Sequence, residues 1–387
     1  MKERVVYLDN NATTRVSPEV VQAMEPFLGD MWGNPSSIHT FGGQVRQHLG
    51  HARERVAALI GAEPEEIIFT SCGTESNNTA LKGVMLTRDP GARLITTAVE
   101  HPSVLNVCRY LGSVGFQIAE LGVDGQGHLD LQQLRESIDE HTVLVSVMWA
   151  NNETGVIFPI REIAEITKER GVLFHTDAVQ AVGKIPVNVQ EVPVDLLSLS
   201  GHKLHAPKGV GALYVRKEVK LVPLLHGGHQ EGNRRGGTEN VPYIVGLGRA
   251  CELAQKHMEE QQARVAALRD RLERGILQSC PGAQINGDRT QRLPNTLNVS
   301  FEYVEGESIL LLLDQLGICA SSGSACTSGS LEPSHVIQAM GVPFTAAHGS
   351  IRFSLSRYTT DEDIDYVLQH LPGIIRRLRR LSPFVKE

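Results

Sequence analysis

No apolar stretch in this 387-residue chain reaches the ~20 residues a helix needs to cross a bilayer, which argues against a membrane protein. The N-terminus, MKERVVYLDNNATT, has no apolar core of the kind a secretory signal carries. Basic excess is missing too. Lys and Arg number 37 against 44 Asp and Glu, a formal net charge of -7, whereas non-specific nucleic-acid binding needs a basic footprint. The six cysteines show neither paired metal-type spacing nor a disulfide framework, so reduced thiols in the cytoplasm are expected. Internal repeats and long low-complexity tracts are absent. What remains is the composition of an ordinary soluble globular protein, 41% hydrophobic and 21% charged, with length for roughly two domains of ~150 residues.

Helical and strand-like patterns alternate along most of the chain. SPEVVQAMEPFLG reads as a helix capped by Ser17, with Val20, Val21, Met24, Phe27 and Leu28 on one apolar face. A second helix is expected around QVRQHLGHARERVAALIG, then a strand at EEIIFTS and a helix from about Glu75 to Val84. Strand-like runs follow at RLITTA, TVLVSVMWA, VLFHTDA, DLLSLSG and VGALYV. Short β-branched runs alternating with helices predict an α/β fold with a mainly parallel sheet covered on both faces. A long charged helix is expected from near residue 246 to about Leu277, with Val265, Leu268, Leu272 and Ile276 on one face. After it come strand TLNVSFE, helix ESILLLLDQLG, helix SHVIQAMG, strand GSIRFSLS and a helix from Asp361, which read as a smaller α+β domain.

Ligands of open α/β sheets bind outside the carboxyl ends of strands, so those ends are where chemistry is sought. After EEIIFT, the run Cys72-Gly73-Thr74 opens a helix, either as an anion site or as a common tight turn. Asp177 follows an apolar strand, with Gln180 three residues on, and suits a ligand cation or a helix cap. Ser200, Gly201, His202, Lys203 and His205 follow another, and Lys203 either serves chemistry or extends to solvent. His101 stands after RLITTA and Asn152 after TVLVSVMWA. An anion cradle, an aspartate, a lysine, a histidine and an asparagine at one sheet edge together fit pyridoxal phosphate. The lysine would carry the cofactor, and the aspartate would keep its ring nitrogen protonated.

ASSGSACTSGS, residues 320–330, surrounds Cys326 with five serines, two glycines and one threonine. So little bulk gives the segment few anchors and suits an arm that carries a thiol, which must ionise to react. Cys319 reads as a core residue, and Cys72, Cys108, Cys251 and Cys280 as structural. His226 and His229 have metal-like spacing but no accompanying ligand set, so no metal is assigned. Arg376, Arg377, Arg379 and Arg380 read as a solvated helix face that an acidic protein partner could use.

YLDNNATT, GNPSSIH, TSCGTESNN, VEHPSV, MWANNETG, HTDAVQAVGK, SGHKLHAPKGVG, RRGGTEN, SSGSACTSGSLEPSHV and IRFSLSRYTT, ten motifs in order, resemble the group I cysteine desulfurases. These are fold-type I pyridoxal-phosphate enzymes of the class-V aminotransferase superfamily, and the resemblance runs from about Tyr7 to about Pro383. The cysteine loop and MWANNETG are most similar to the nitrogen-fixation (NifS) type. The housekeeping iron–sulfur assembly (IscS) and tRNA-thiolation type comes next. The resemblance implies a seven-stranded-type sheet in a large cofactor-binding domain, residues 15–256. It implies a small domain, residues 1–14 plus 257–387, carrying the cysteine loop at about 320–332.

It also implies roles residue by residue. Lys203 holds the cofactor and then moves the Cα proton, which requires a lowered pKa. Asp177 pairs with the ring nitrogen, Gln180 with the phenolic oxygen, His101 is a catalytic residue that stacks on the ring and shuttles protons, and Asn152 meets ring substituents and substrate. Gly73, Thr74, Ser200, Gly201 and His202 hold phosphate, while Thr238 reaches the phosphate of a second subunit in a homodimer. Arg352 clamps the carboxylate of L-cysteine. Cys326 takes the sulfur as a persulfide, delivers it to an iron–sulfur scaffold protein, and could transiently ligate a nascent cluster. Two rival functions predict different products. An aminotransferase or cysteine lyase would have no use for Cys326, and a non-catalytic sulfur relay would have no need of the cofactor site.

Overall fold

Seven strands form the larger sheet, in the order Ile67–Thr70, Gly211–Val215, Leu196–Ser200, Leu173–Asp177, Thr142–Ser146, Arg93–Thr97, Gln117–Leu121. The computed structural model describes residues 4–322 and 332–382, so Cys326 lies outside the described residues. Six strands run in one direction, and Gly211–Val215 is antiparallel to both of its neighbours. Chain length explains the exception. Residues 201–210 are a direct return, whereas a parallel neighbour would need a crossover of a dozen or more residues.

The central strands are buried on both faces, which is why their sequences read as unbroken apolar runs rather than alternations. One sheet face packs Ile95, Val145, Phe174, Leu197 and Leu199 with the helices Thr40–Ile60 and Ile160–Glu169. The other packs Ile68, Leu94, Leu144, Leu196 and Leu213 with Gly73–Met85 and Pro102–Ser113. The strand Gln117–Leu121 is not evident in the sequence pattern. It is the outer edge, half-open to solvent, and its polar QIAEL lacks the apolar run by which its neighbours were recognised.

The apolar face expected near the N-terminus is narrower than the sequence suggests. Pro18–Met24 and the following 3₁₀ turn Glu25–Leu28 bury Val20, Met24 and Phe27, but Val21 and Leu28 are exposed. The turn at Glu25-Pro26 changes the period there, so the tail of the segment no longer follows a 3.6-residue stripe.

A second, antiparallel sheet joins Ser350–Ser354, Thr296–Phe301 and Ala283–Ile285. Its apolar face, with Leu297, Val299, Phe301, Ile351 and Phe353, packs against the helices Gly306–Asp314 and Asp361–Leu381. One helix of 39 residues, Val241–Ser279, serves both cores, and at 1.5 Å per residue it spans about 58 Å. Leu247, Ala250, Cys251 and Ala254 belong to the first core; Val265, Leu268, Leu272 and Ile276 belong to the second. Between them lies the polar run QKHMEEQQAR, which contributes no fully buried apolar side chain.

The N-terminal segment ties the two sheets together. Val6–Tyr7 pairs in parallel with Ile318–Cys319, and Asp9 bridges to Ser354. The chain then crosses to the larger sheet, where the Thr14 amide donates to the His202 carbonyl at 2.9 Å. Cys319, expected in a core, is instead only half-buried beside Tyr7 and Asp9, and burial together with Asp314 and Asp9 raises its pKa.

Candidate active site

The parallel strands of the larger sheet all end at one edge, and the candidate residues emerge there. Asp177 closes the strand Leu173–Asp177 and is buried. Its Oδ2 accepts from Asn77 Nδ2 at 2.7 Å, and its Oδ1 accepts from the Val179 amide at 3.0 Å. The strand is held in place by His175, whose ring nitrogens lie 2.8 Å from Ser146 Oγ and 3.0 Å from Ser198 Oγ on the flanking strands. Complete burial pushes the pKa of His175 down to about 3, so this imidazole is a neutral cross-brace.

Lys203 ends the single 3₁₀ turn Gly201–Lys203 that follows Leu196–Ser200. Only glycine fits at 201, since a Cβ there would come within 2.9 Å of Val210 Cγ1 and 3.1 Å of the Val210 carbonyl. The Lys203 amine donates to the Asn11 carbonyl at 2.5 Å and to the Ala12 carbonyl at 2.7 Å. His205, at a positive φ of 63°, is kept there by its amide donating to Thr14 Oγ1 at 2.9 Å.

Around Lys203 the field is strongly positive. Lys184 Nζ lies 2.5 Å from Gln180 Oε1 and 3.4 Å from Asn11 Oδ1. Burial, with the nearby charges of Lys203 and Arg352, holds its pKa well below the ordinary lysine range. Burial and the charges of Lys203, Lys208 and Lys184 push His202 down to about 3. The basic side chains Lys184, Lys203 and Lys208 gathered here suit a site that takes an anion.

The residues for that anion are close by. The helix Gly73–Met85 starts at this edge with Thr74 exposed in its first turn. A Cβ at Gly73 would meet Val179 Cγ2 at 2.8 Å, so the chain approaches closely there. Ser200 Oγ, buried beside Gly73, has no hydrogen-bond partner among the described residues. Thr238 is exposed and lines a separate cleft with Thr70, Ser71 and Arg235, and Arg235 Nε pairs with Glu75 Oε1 at 2.9 Å.

Arg352 lies in the smaller sheet, 3% exposed, and reaches the same region from the opposite side. Its Nη2 donates to Asp9 Oδ1 and its Nη1 to the Asn152 carbonyl, both at 2.9 Å, while its Nε is buried without a partner among the described residues. Asn152 thus presents its carbonyl inward, and Asn11 Nδ2 donates to it as well at 3.1 Å. Gln180 donates from Nε2 to the Asn11 carbonyl at 3.0 Å. His101 caps the helix Pro102–Ser113, with Nδ1 accepting from the Ser103 amide at 3.1 Å.

Cys326 is outside the described residues, but both flanks of its segment are tied to this site. Ser321 exchanges backbone hydrogen bonds with Arg352 at 3.1 and 2.6 Å. On the other flank, Ser334 Oγ donates to Glu153 Oε2 at 2.5 Å, and His335 Nε2 donates to the Glu100 carbonyl at 2.9 Å. The sequence reading assigned no role to Asp9, Asn11, Asn77, Ser103 or Lys184, although each falls within a quoted motif. The usable signal was the paired asparagines of DNNATT and TESNN.

A family model described as aminotransferase class-V matches residues 6–367. A protein of Trichormus azollae named cysteine desulfurase is 60% identical over 380 residues, covering 98% of this chain and 95% of that protein. Cysteine desulfurase NifS of Azotobacter vinelandii is 57% identical over 380 residues, covering 98% of this chain and 94% of that protein. Among solved structures, one titled NifS-like protein superimposes with a TM-score of 0.91 at 42% identity, covering 97% of this chain and all of that one.

Proposed function

This chain belongs to the class-V aminotransferase family, and from that premise we propose that it is a cysteine desulfurase dependent on pyridoxal phosphate. The observation that carries the cofactor reading is the convergence of Lys203, Asp177 and the unpartnered Ser200 hydroxyl at one sheet edge. When bound, the cofactor supplies an electron sink that weakens bonds at the Cα of the amino acid attached to it.

The protein's own residues do the rest. Lys203 would hold the cofactor through its amine and would take the Cα proton of the substrate. Asp177, oriented by Asn77 and Val179, holds the ring-nitrogen proton. Gln180, with its oxygen taken by Lys184 and one amide hydrogen by the Asn11 carbonyl, would have its other amide hydrogen to donate toward the ring oxygen. Thr74, Ser200, Gly201, His202 and the helix amides at Gly73 hold the phosphate. Thr238 serves a second subunit, which makes the working form a homodimer. The unpartnered Arg352 Nε is a donor for the substrate carboxylate, and Asn152 lines the same position. Cys326 attacks the substrate sulfur: an S–S bond forms as the C–S bond breaks, leaving L-alanine and a persulfide. That sulfur goes to an iron–sulfur scaffold protein in the cytoplasm. Nitrogenase maturation is favoured as its destination by the cysteine loop and MWANNETG.

The test uses L-cysteine with wild type and Cys326→Ala. Wild type forms equal alanine and sulfur, with persulfide on Cys326, and borohydride fixes a pyridoxyl label on Lys203. The variant keeps the label but falls to background in alanine and persulfide. Label on another lysine, or alanine from the variant at a near-normal rate, would overturn the assignment.

A further inference from the structure

Four side chains form one hydrogen-bonded line from the Asp177 carboxylate to the His101 ring. Asn77 Nδ2 lies 2.7 Å from Asp177 Oδ2 and 2.8 Å from Ser103 Oγ. Ser103 Oγ lies 2.8 Å from His101 Nδ1, and the Ser103 amide donates to that same nitrogen at 3.1 Å. Asn77 and Ser103 are buried, so bulk water does not compete for these bonds.

The direction of every bond follows from what each group can do. A backbone N–H only donates, so His101 Nδ1 must present its lone pair. An ionised carboxylate only accepts, so the Asn77 amide must turn its NH₂ toward Asp177; the flipped amide would set oxygen against oxygen. The two Asn77 hydrogens go to Asp177 and to Ser103 Oγ. Ser103 therefore accepts from Asn77, and its own hydroxyl hydrogen points to Nδ1. Two donors converge on Nδ1, and a neutral imidazole arranged that way carries its hydrogen on Nε2.

We propose that Asn77 and Ser103 are positioning residues that hold His101 as the neutral Nε2–H tautomer, so that it serves the reaction as a hydrogen-bond donor and takes up no proton. Protonation would have to occur at Nδ1, where it would set N–H against the Ser103 amide and hydroxyl. The proton of the substrate Cα is then left to Lys203. This inference rests on the function proposed above, and it concerns groups the sequence reading left without a role.

Charge around His101 agrees with this arrangement. Burial lowers its pKa most, Lys203 and His335 lower it further, and Asp177 is the facing group that raises it. The Ser103 hydroxyl is therefore one contributor among several, and its removal is expected to shift the ring without freeing it fully.

The experiment is ¹⁵N NMR of ring-labelled histidine in the holoenzyme and in the cofactor-free protein, without substrate. His101 is assigned by loss of its signal in His101→Gln. Wild type is expected to show unprotonated Nδ1 and protonated Nε2 from neutral to mildly alkaline pH. Ser103→Ala should raise the His101 pKa by roughly half to one pH unit, the loss of one hydrogen bond to the neutral form. Ser103→Thr should restore the wild-type titration, and unchanged His175 signals show that the fold is intact. Wild-type Nδ1 found protonated, or a Ser103→Ala titration identical to wild type, overturns the inference. Because neither measurement uses desulfurase activity, a failed turnover assay with the expected tautomer would sink the function and leave the tautomer assignment standing.

Discussion

Replacing Arg352 with lysine separates substrate recognition from cofactor binding. Arg352 sits in Ser350–Ser354 with Nη2 on Asp9, Nη1 on the Asn152 carbonyl and Nε unpartnered. Lysine keeps the positive charge, so Asp9 is not left facing an uncharged neighbour. It loses the planar fork, and a single ammonium cannot serve Asp9, the Asn152 carbonyl and a substrate carboxylate in the geometry of a guanidinium. One charge-assisted hydrogen bond to the substrate is forfeited, about 1.5–3 kcal/mol. At about 1.4 kcal/mol per factor of ten, KM for L-cysteine should rise about 10- to 100-fold. Arg352 meets Lys203 through backbone carbonyls, by way of Asn152 and Asn11 and by way of Asp9 and Ala12, so the cofactor should notice little. The assay measures alanine release across L-cysteine concentrations, with cofactor affinity from an absorbance titration of the same sample. An unchanged KM would mean that another residue holds the carboxylate. A cofactor affinity that fell as far as KM rose would show that Arg352 supports the whole site.

Two further substitutions probe groups that the sequence reading left without a role. Lys184→Met removes the contact that takes up Gln180 Oε1 and should weaken cofactor binding about tenfold, the scale of one hydrogen bond. Cofactor affinity equal to wild type in an absorbance titration would refute that role. Glu100 is fully buried and its pKa is raised from 4.5 to about 8, chiefly by burial, with Oε1 accepting from Thr97 Oγ1 and the Met148 amide. Between those two values the folded state holds a proton that the unfolded state has lost, so rising pH should lower stability by up to about 1.4 kcal/mol per unit. Glu100→Gln keeps an acceptor for both donors and abolishes that slope; a wild-type-minus-variant difference in denaturant unfolding that is flat with pH would refute the assignment.

The strand ends were legible because their signal is local. An apolar run that stops at a polar residue identifies both the strand and the position of Asp177, Lys203 or His101 at its end, whatever the order of strands in the sheet. The same locality explains the misses. Gln117–Leu121 is half-open to solvent and so needs no apolar run. Leu28 failed because a 3₁₀ turn breaks the helical period that the pattern assumed, and Val21 because the buried stripe of Pro18–Met24 is only as wide as Val20 and Met24. The long helix was placed within a few residues at both ends, but what it joins depends on packing that its own sequence does not state.

The polar layer behind the site is illegible for a stronger reason. Asn77 meets Asp177 across 100 residues, and Asn11 meets Lys203 across 192. Nothing near Asn77 distinguishes it from Asn78 beside it, whose amide merely donates back to the Thr74 carbonyl. The difference arises once Gly73–Met85 packs on the sheet and turns Asn77 toward the end of Leu173–Asp177. Asn11 is a sharper instance. Its carbonyl accepts from Lys203 and Gln180, its Nδ2 donates to Thr296 Oγ1 and the Asn152 carbonyl, and its Oδ1 accepts from Asn295 and Lys184. These partners come from both sheets, so Asn11 acquires its role only when the N-terminal segment has crossed between them. A buried asparagine with every polar atom engaged is costly to misplace, because each lost partner leaves a desolvated donor or acceptor. The segment Asp9–Thr14 therefore sets the position of Lys203 and Gln180 relative to Arg352, and it does so through an amide that the chemistry never touches.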